Sequence, residues 1–407
     1  MKSPISHWCF RNTWTALCFL ALTCLLATPS GAALPSVPAA PLSSGAKELI
    51  RQAFEGLPGP LVDGHVHIVG MGQGGTGCEV NPHMLSRRHP FKRMVANLYL
   101  SAAGVGDFDR FDQEYVDRLV GLARNFGHPV RLHIMAMDHH YNVDGTINHE
   151  KTEFYVPNDY VVRLAGLYPD VFTPVISVHP ARPDALQELD KWAAQGARYV
   201  KWLPNTQGID PADPRWDPFY ERMKQLNLTL ITHTGEEKAV SAQGAQALGN
   251  PLRLRRALDA GVTVIMAHCA SLGRNEDLDH PGRRVSNYSL FLRLMGEERY
   301  RGHLFGDISA MTQFNRLPVL QQVLGHPELQ PRLVNGSDYP VPAMDFVIWT
   351  SQLVRRGMIN PRERRALNEI FHSNPLLFDF VLKRTLRDPK TGQRLSDHLF
   401  QAMPRAD

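Results

Sequence analysis

Short apolar runs alternate with amphipathic stretches along most of the chain. The first run is Leu61–His67, and seven more follow, at Val130–Met137, Phe172–Val178, Arg198–Leu203, Leu228–Thr232, Val262–Ala267, Leu304–Ile308 and Arg332–Asn335. Stretches in which apolar residues recur with helical spacing separate most of these runs. Because short apolar runs are typical of buried strands, and strands that alternate with helices form parallel sheets, we predict an α/β fold.

The number of predicted strands decides between two α/β architectures. Eight strand–helix units can close into a (β/α)8 TIM barrel, and 407 residues allow one such barrel with loop insertions. An open, doubly wound sheet is the alternative. We favour a somewhat distorted barrel, because there are eight strand candidates and because polar residues cluster at their carboxyl ends. The long loops are expected at 68–90, 138–157, 204–217 and 271–288.

The first 33 residues have the pattern of a targeting segment. Lys2 and Arg11 precede or border the apolar run Trp14–Ala27, and small residues fill positions 30–33. This order is that of a signal peptide, so we predict that the protein is exported to the periplasm or secreted. The run is short for a membrane span, which takes about 20 residues, although an uncleaved membrane anchor stays open as an alternative. No membrane insertion is expected after cleavage.

The remaining chain divides by composition into three parts. A segment rich in Pro, Ala and Ser follows the leader, and we predict a flexible spacer over 34–50. The barrel domain is expected over 51–385, and residues 386–407 are expected to form a C-terminal tail.

Charge and cysteine content exclude several classes of protein. The net charge is +4, and the leader accounts for half of this excess, so no nucleic-acid partner is expected. Three of the five cysteines lie in the leader, which excludes a disulfide scaffold. Cys78 and Cys269 remain, and the sequence leaves open whether they pair.

Histidines and other polar residues follow the predicted strands. His65 and His67 are two residues apart on the first strand, so their side chains point to the same side. Lys201 lies on the fourth strand, and the fifth, sixth and eighth strands lead into His233, His268 and Asp338, respectively. The carboxyl ends of barrel strands surround one opening, and imidazole and carboxylate groups are the ligands of zinc and similar ions. The sequence therefore predicts a metal site there.

These motifs, in this order, resemble the amidohydrolase superfamily. Four short segments particularly resemble its amidohydrolase-related branch: Asp63-Gly-His-Val-His, Thr232-His-Thr-Gly, Ala267-His-Cys and Gly336-Ser-Asp-Tyr-Pro. That branch contains decarboxylases of aromatic and dienoic acids together with lactone and amide hydrolases. The resemblance covers roughly residues 60 to 375.

The resemblance implies a role for each matching residue. His65, His67, His233 and Asp338 match the ligands of a divalent metal, with zinc expected and manganese or iron as alternatives. Lys201 matches a lysine that is carboxylated and bridges two metals in some relatives but is no ligand in others, so one or two ions are expected. Asp338 would act as general base and then acid, and His268 would hydrogen-bond the developing oxyanion or orient the water, or bind a second metal. The implied reaction is hydrolysis of an amide, ester or lactone of a small molecule.

Two other functions stay open at this stage. The same site could decarboxylate an aromatic or unsaturated carboxylic acid, or the protein could be a catalytically inactive, exported barrel that binds a metal or ligand. His179, His139 and Arg274 lie on or beside predicted loops and are candidates for substrate binding. His139, His140 and His149 belong to an insertion that matches no motif of the family. The sequence does not decide whether the protein forms a homo-oligomer.

Overall fold

The computed structural model describes residues 41–238, 242, 244–344 and 346–406. The predicted signal peptide and the first part of the predicted spacer lie outside these residues. Helix α1 begins at Ser44, where the Ser43 side chain accepts a hydrogen bond from the Ala46 amide. The spacer therefore ends earlier than the predicted residue 50, because the Ser-rich segment supplies a helix cap.

Eight parallel strands form the centre of the fold. They are β1 (Leu61–His67), β2 (Val130–Met135), β3 (Phe172–Val175), β4 (Tyr199–Trp202), β5 (Thr229–Thr232), β6 (Val264–Met266), β7 (Leu304–Asp307) and β8 (Leu333–Val334). Consecutive strands pair from β1 to β3 and from β4 to β8.

Short contacts at two places close these two sheets into one barrel. Between β3 and β4, the Lys201 amide donates to the Ile176 carbonyl at 2.7 Å. Between β8 and β1, the Gly64 amide donates to the Asn335 carbonyl at 2.9 Å. The expected TIM barrel is thus observed rather than an open sheet, and its distortion lies at these two seams, where pairing is reduced to isolated bridges.

Helices connect and cover the strands. They are α1 (Ser44–Phe54), α2 (Pro82–Leu85), α3 (Pro90–Ala103), α4 (Phe111–Arg124), α5 (Asn158–Leu167), α6 (Ala185–Ala194), α7 (Pro204–Gln207), α8 (Asp217–Gln225), α9 (Arg255–Asp259), α10 (Asn287–Met295), α11 (Leu317–Leu324), α12 (Thr350–Arg355), α13 (Pro361–Ser373) and α14 (Pro375–Thr385). Their boundaries follow local chemistry, as at α13, where Asn360 and Glu363 form a capping box. Within the part of the chain that is described, no helix has the length and apolar character needed to cross a bilayer.

The C-terminal segment, predicted as a tail, closes the amino-terminal end of the barrel. Met403 packs against an apolar cluster contributed by the strands, comprising Met135, Val175, Tyr199, Ile231, Ile265 and Val334. A Cβ atom at Gly64 would meet the end of the Met403 side chain, which would then have to move. Leu399 and Phe400 are also buried. The segment is therefore part of the folded domain.

Two antiparallel ribbons lie in the loops at the opposite end. One pairs Glu79–Val80 with Phe154–Tyr155, and thereby joins the loop after β1 to the loop after β2. The other pairs Arg274–Glu276 with Arg284–Ser286. Cys78 and Cys269 are both free, buried thiols, so the disulfide left open by the sequence is not formed.

Candidate metal centre at the carboxyl end of the barrel

Three of the predicted metal ligands converge where β1 and β8 end. The donor atoms of His65, His67 and Asp338 all lie within 4.8 Å of one another. The Asp338 Oδ1 atom is 3.1 Å from His67 Nε2 and 3.4 Å from His65 Nε2. Strand geometry explains the histidine pair, and a hydrogen bond from the Asp338 amide to the His65 carbonyl, at 2.8 Å, fixes the aspartate beside it.

A buried carboxylate orients the His65 ring. His65 Nδ1 donates to Asp307 Oδ2 at 2.8 Å, and Asp307 Oδ1 accepts from the amide of His268 at 2.8 Å. Burial alone would raise the pKa of Asp307, but its neighbours, including hydrogen bonds from His65 and Ser309, hold the pKa well below its usual range. Because a carboxylate only accepts, the proton of neutral His65 is on Nδ1, and its Nε2 lone pair faces the metal group.

Lys201 contacts the same histidine from β4. Its Nζ atom is 2.9 Å from His65 Nε2, and its side chain is fully buried. Burial lowers the pKa of Lys201 to about 8, so a substantial fraction of the amine is neutral in mildly alkaline solution. Lys201 is thus placed next to the metal group, as its position in the family pattern implies, and carboxylation of its amine stays a prediction.

His268 and His233 stand beside each other on the far side of the group. Their ring centroids are 5.2 Å apart, and the His268 ring stacks on His65 at 5.3 Å. His268 Nδ1 lies 3.0 Å from the Ser309 carbonyl, which can only accept, so Nδ1 carries the proton and Nε2 offers a lone pair. Burial, and then the Arg316 charge, lower the pKa of His268 to about 3, which keeps the ring neutral.

His233 is a candidate metal ligand that lies apart from the other three donors. Its Nδ1 atom is 3.4 Å from Glu237 Oε2, and its Nε2 atom is buried with no hydrogen-bond partner among the described residues. Burial, followed by the neighbouring His268, lowers the pKa of His233 well below its usual range. The unpartnered nitrogen makes His233 a candidate for a fourth position, although its donor atom does not belong to the group of three.

The backbone is strained at the two residues predicted to be catalytic. His268 has φ of 56° and Asp338 has φ of 65°, both in the left-handed region that side-chain-bearing residues rarely adopt. Such conformations are held at functional sites by the surrounding structure. Burial raises the pKa of Asp338, but its surroundings, including the hydrogen bond with His67, outweigh burial and leave the pKa well below its usual range. Asp338 is therefore ionised.

The donor set fits a divalent cation. It combines two imidazoles with an ionised carboxylate, and a second carboxylate, Asp307, holds the His65 ring from behind, as in metal sites with an orienting outer layer. The buried Nε2 atom of His233, which has no hydrogen-bond partner among the described residues, adds a further nitrogen that could bind the ion. His65, His67 and Asp338 would hold the ion, with His233 adjacent.

A cavity of about 320 Å³ opens above this group. Its floor is polar and includes His65, His67, Lys201, His233, His268 and Asp338, whereas its walls are mostly apolar. Helix α3 contributes Val95 and Tyr99, and the segment after β8 contributes Val341 and Met344. A cavity with apolar walls and a few converging polar groups is typical of a small-molecule site.

Two functional candidates on the cavity floor were not assigned from the sequence. Arg316 lines the cavity, is only 6% exposed, and donates from Nη1 to Ser271 Oγ at 2.7 Å. Its Nε atom is buried and has no partner in the described structure. Glu237 lies beside His233. Nothing in the sequence distinguishes Arg316 from other loop arginines. Asp307, in contrast, lies near the end of the seventh predicted strand, where the sequence offers a signal.

The three residues proposed for substrate contact do not line the cavity. In His179, Nδ1 accepts from the Ala181 amide and Nε2 donates to the Gln207 carbonyl, both at 3.0 Å, so the ring is structural. Arg274 is exposed and donates to the Arg284 carbonyl within its ribbon. His139 stacks on Tyr155 with 3.8 Å between ring centroids. Loop position alone placed these residues near the substrate, and the loops direct their side chains elsewhere.

A sequence model described as amidohydrolase matches residues 62–375. The chain belongs to the amidohydrolase family. This assignment confirms the resemblance that rested on the motifs around His65, His233, His268 and Asp338. Members of the family are divalent-metal-dependent enzymes, among them hydrolases and decarboxylases. Among curated protein sequences, nothing matches significantly.

Several solved structures are similar to this chain at low sequence identity. An uncharacterised TIM-barrel protein from Bordetella bronchiseptica is 17% identical, with a TM-score of 0.46, over 77% of this chain and 96% of that chain. A putative 2-pyrone-4,6-dicarboxylic acid hydrolase from Pseudomonas putida is 15% identical, with a TM-score of 0.43, over 81% and 95%. A 5-carboxyvanillate decarboxylase from Sphingomonas paucimobilis is 13% identical, with a TM-score of 0.39, over 75% and 95%. Likeness at this level does not fix the reaction.

Proposed function

We propose that this amidohydrolase-family protein hydrolyses an amide, ester or lactone in a small and largely apolar molecule. The observation that carries the proposal is the meeting of an ionised carboxylate, Asp338, with the Nε2 lone pair of His268 on one cavity floor. Hydrolysis needs a group that takes a proton from water and returns it to the leaving group. Asp338 has the charge for this task.

The metal supplies one part of the chemistry. A divalent cation held by His65, His67 and Asp338 would lower the pKa of a water molecule and polarise the substrate carbonyl. Asp338 would accept the water proton on its carboxylate and deliver it to the leaving nitrogen or oxygen. Asp307 would keep His65 in the tautomer that presents Nε2.

The tautomer of His268 narrows its part in the reaction. The sequence allowed His268 either to stabilise a developing oxyanion or to orient the attacking water. With the proton on Nδ1, facing Ser309, the cavity-facing Nε2 can accept a hydrogen bond but cannot donate one. His268 is therefore assigned to orienting the water. A donor for an oxyanion is available instead at Lys201, whose side chain lines the same floor.

Arg316 and the apolar walls define the substrate class. The guanidinium is buried beside Asp338 and Glu237, whose charges act on it, and the remaining lining is mostly apolar. A substrate with an apolar body and an anionic group close to the scissile bond would use both features. The cavity volume of about 320 Å³ fits a small molecule rather than a polymer.

The test is a hydrolysis panel. Zinc-loaded protein is incubated with aromatic and aliphatic lactones, esters and amides, each with and without a carboxylate. We expect turnover of at least one apolar member, and an about 1,000-fold loss in Asp338→Asn, which has the same shape but cannot hold the proton. His268→Gln is expected to lose about 100-fold. Turnover that is equal in wild type and Asp338→Asn would overturn the proposal.

Decarboxylation is the second candidate, and Arg316 is the observation that favours it. A buried guanidinium beside the metal group, below apolar walls, also fits the carboxylate and ring of an aromatic acid. Release of carbon dioxide from a panel of hydroxylated aromatic acids, without hydrolysis of any ester or lactone, would replace the first proposal by this one. No turnover in either panel would favour the inactive binding barrel.

A further inference from the structure

A second group of potential ligands lies outside the cavity, in the insertion that matched no motif. The donor atoms of Glu79, His139 and His149 all lie within 4.8 Å of one another. The residues come from the loop after β1 and from the long loop after β2. None of them lines the cavity floor, and none takes part in the proposed reaction.

The ribbon between these loops places the group behind the cavity wall. Glu79 pairs with Tyr155, and Val80 pairs with Phe154, so each pair projects from one face of the ribbon. Val80 and Phe154 line the cavity. The opposite face carries Glu79 and the Tyr155 ring, on which His139 stacks with an interplanar angle of 10°.

His139 is a buried imidazole with unused bonding capacity. It is 6% exposed, and its Nδ1 atom is buried without a hydrogen-bond partner among the described residues. A buried polar atom with no partner is costly, and each such atom in a native structure calls for an explanation. The ring centroid of His149 lies 5.6 Å away.

The backbone that carries the three ligands is already fixed. Asn81 Nδ2 donates to the carbonyl oxygens of His149, Glu150 and Thr152 at 2.9–3.2 Å, which holds the distal part of the loop against the residue after Val80. The His139 amide donates to Asp138 Oδ1 at 2.9 Å. Glu79 and His149 are exposed, so their side chains can rotate toward His139 without disturbing the core.

We propose that Glu79, His139 and His149 form a second divalent-cation site, of the zinc class, that ties the two loops together on the outer face of the cavity wall. Two imidazoles and one carboxylate are a recurring zinc ligand set. Tetrahedral zinc would need the donor atoms about 3.3 Å apart, so the exposed side chains have to move by little more than an ångström. The site is independent of the proposed reaction.

The first test counts zinc ions. Chelator-treated full-length wild type, His149→Ala, Glu79→Gln and the control His372→Ala, an exposed histidine on α13, are dialysed against zinc, and metal per chain is measured by plasma mass spectrometry. We expect His149→Ala and Glu79→Gln to bind one zinc fewer than wild type, with affinity at this site weakened about 100-fold or more in chelator competition. We expect His372→Ala to match wild type.

The outcomes separate this site from the barrel centre. Equal zinc content in wild type and His149→Ala, or the same loss in His372→Ala, would overturn the proposal. In His67→Ala, the barrel ion is lost but the zinc that depends on His149 remains, so failure at either site is recognised separately. Because Glu79 and His149 are exposed, unfolding is not expected in their variants, and circular dichroism checks this.

Hydrogen exchange gives a second, activity-free readout. In wild type, zinc is expected to slow amide exchange in residues 79–81 and 148–155 by at least about tenfold, because an ion that bridges the loops opposes their local opening. His149→Ala is expected to show no zinc effect there. Slowing of the same size in both proteins would contradict the assignment.

Discussion

The two histidine groups of this protein are built in different ways. At the barrel end, His65 and His268 each have Nδ1 fixed by an acceptor, Asp307 and the Ser309 carbonyl, so that their Nε2 lone pairs face the centre. In the loop group, the His139 ring is held only by stacking on Tyr155, and its buried Nδ1 atom has no hydrogen-bond partner among the described residues. Rings that are oriented before the ion arrives favour tight binding and catalysis, whereas the loop group is expected to bind more weakly and to stabilise loops.

The largest effect is expected from removing a barrel ligand. His67 is half-buried, so His67→Ala should fold, but it removes one of the three converging donors. We predict loss of the barrel zinc and an at least 1,000-fold drop in kcat/KM, on the order expected when the group that activates water is lost. Zinc content and hydrolysis measure it. An active His67→Ala variant that keeps the barrel ion would contradict the assignment of His67 as a ligand.

Removing the orienting carboxylate should have the next largest effect. In Asp307→Asn, the side chain keeps its shape but loses the charge that holds His65 Nδ1–H. We predict that zinc affinity at the barrel site falls about 10- to 100-fold, as is typical for such partners of metal ligands. Competition with a chelator measures the affinity. Ser309→Ala, which removes a hydroxyl 2.8 Å from His268 Nδ1, is the milder control. Unchanged affinity in Asp307→Asn would contradict the oriented-ring account.

Arg316 should affect binding of charged substrates only. Arg316→Met keeps the apolar stem and removes the guanidinium that faces the cavity. We predict that KM for a carboxylate-bearing substrate rises about 10- to 100-fold, the size expected for lost charge-assisted hydrogen bonds, while kcat/KM for a matched neutral ester changes little. Steady-state kinetics on the pair of substrates tests this. An equal loss for both would indicate that Arg316 is structural.

The smallest effect concerns a histidine in neither group. His133 on β2 is buried against Tyr199, and burial lowers its pKa to about 3. Its stabilising contribution is complete above the unfolded pKa of about 6.5 and is lost as the pH falls from there toward 3, because only the unfolded chain takes up the proton. Between pH 7 and pH 5, the free energy of unfolding of wild type should fall by about 2 kcal/mol more than that of His133→Phe.

Urea unfolding at the two pH values measures this difference. A His133→Phe protein whose stability falls as steeply as wild type would show that His133 is not held neutral by the fold.

The sequence predicts the barrel and its polar rim well, and for a physical reason. Buried parallel strands must be apolar throughout, so each strand leaves a readable run, and the residue that ends the run points into the opening. Strand ends were less certain: the run Phe172–Val178 pairs as a strand only as far as Val175. Helix α1 was missed because its N-cap lies in a Pro- and Ser-rich segment.

Residues that depend on loop conformation were not predictable. Arg316 lies nine residues beyond Asp307 in a loop, and only folding brings its guanidinium to the cavity. His139 was proposed to bind substrate because it follows a strand. In the structure, Val80 and Phe154 of the ribbon line the cavity, and His139 lies on the opposite face of that ribbon. Side-chain direction in long insertions is set by tertiary contacts, such as the stacking on Tyr155, that leave no local pattern.

The most direct test of the account is an anomalous difference map from crystals of the full-length protein grown with zinc, recorded on either side of the zinc absorption edge. We predict a peak bounded by His65 Nε2, His67 Nε2 and Asp338, with ligand distances of about 2.0–2.2 Å. A well-ordered crystal with zinc present and no anomalous peak between these three side chains would contradict the metal centre and, with it, the proposed hydrolysis.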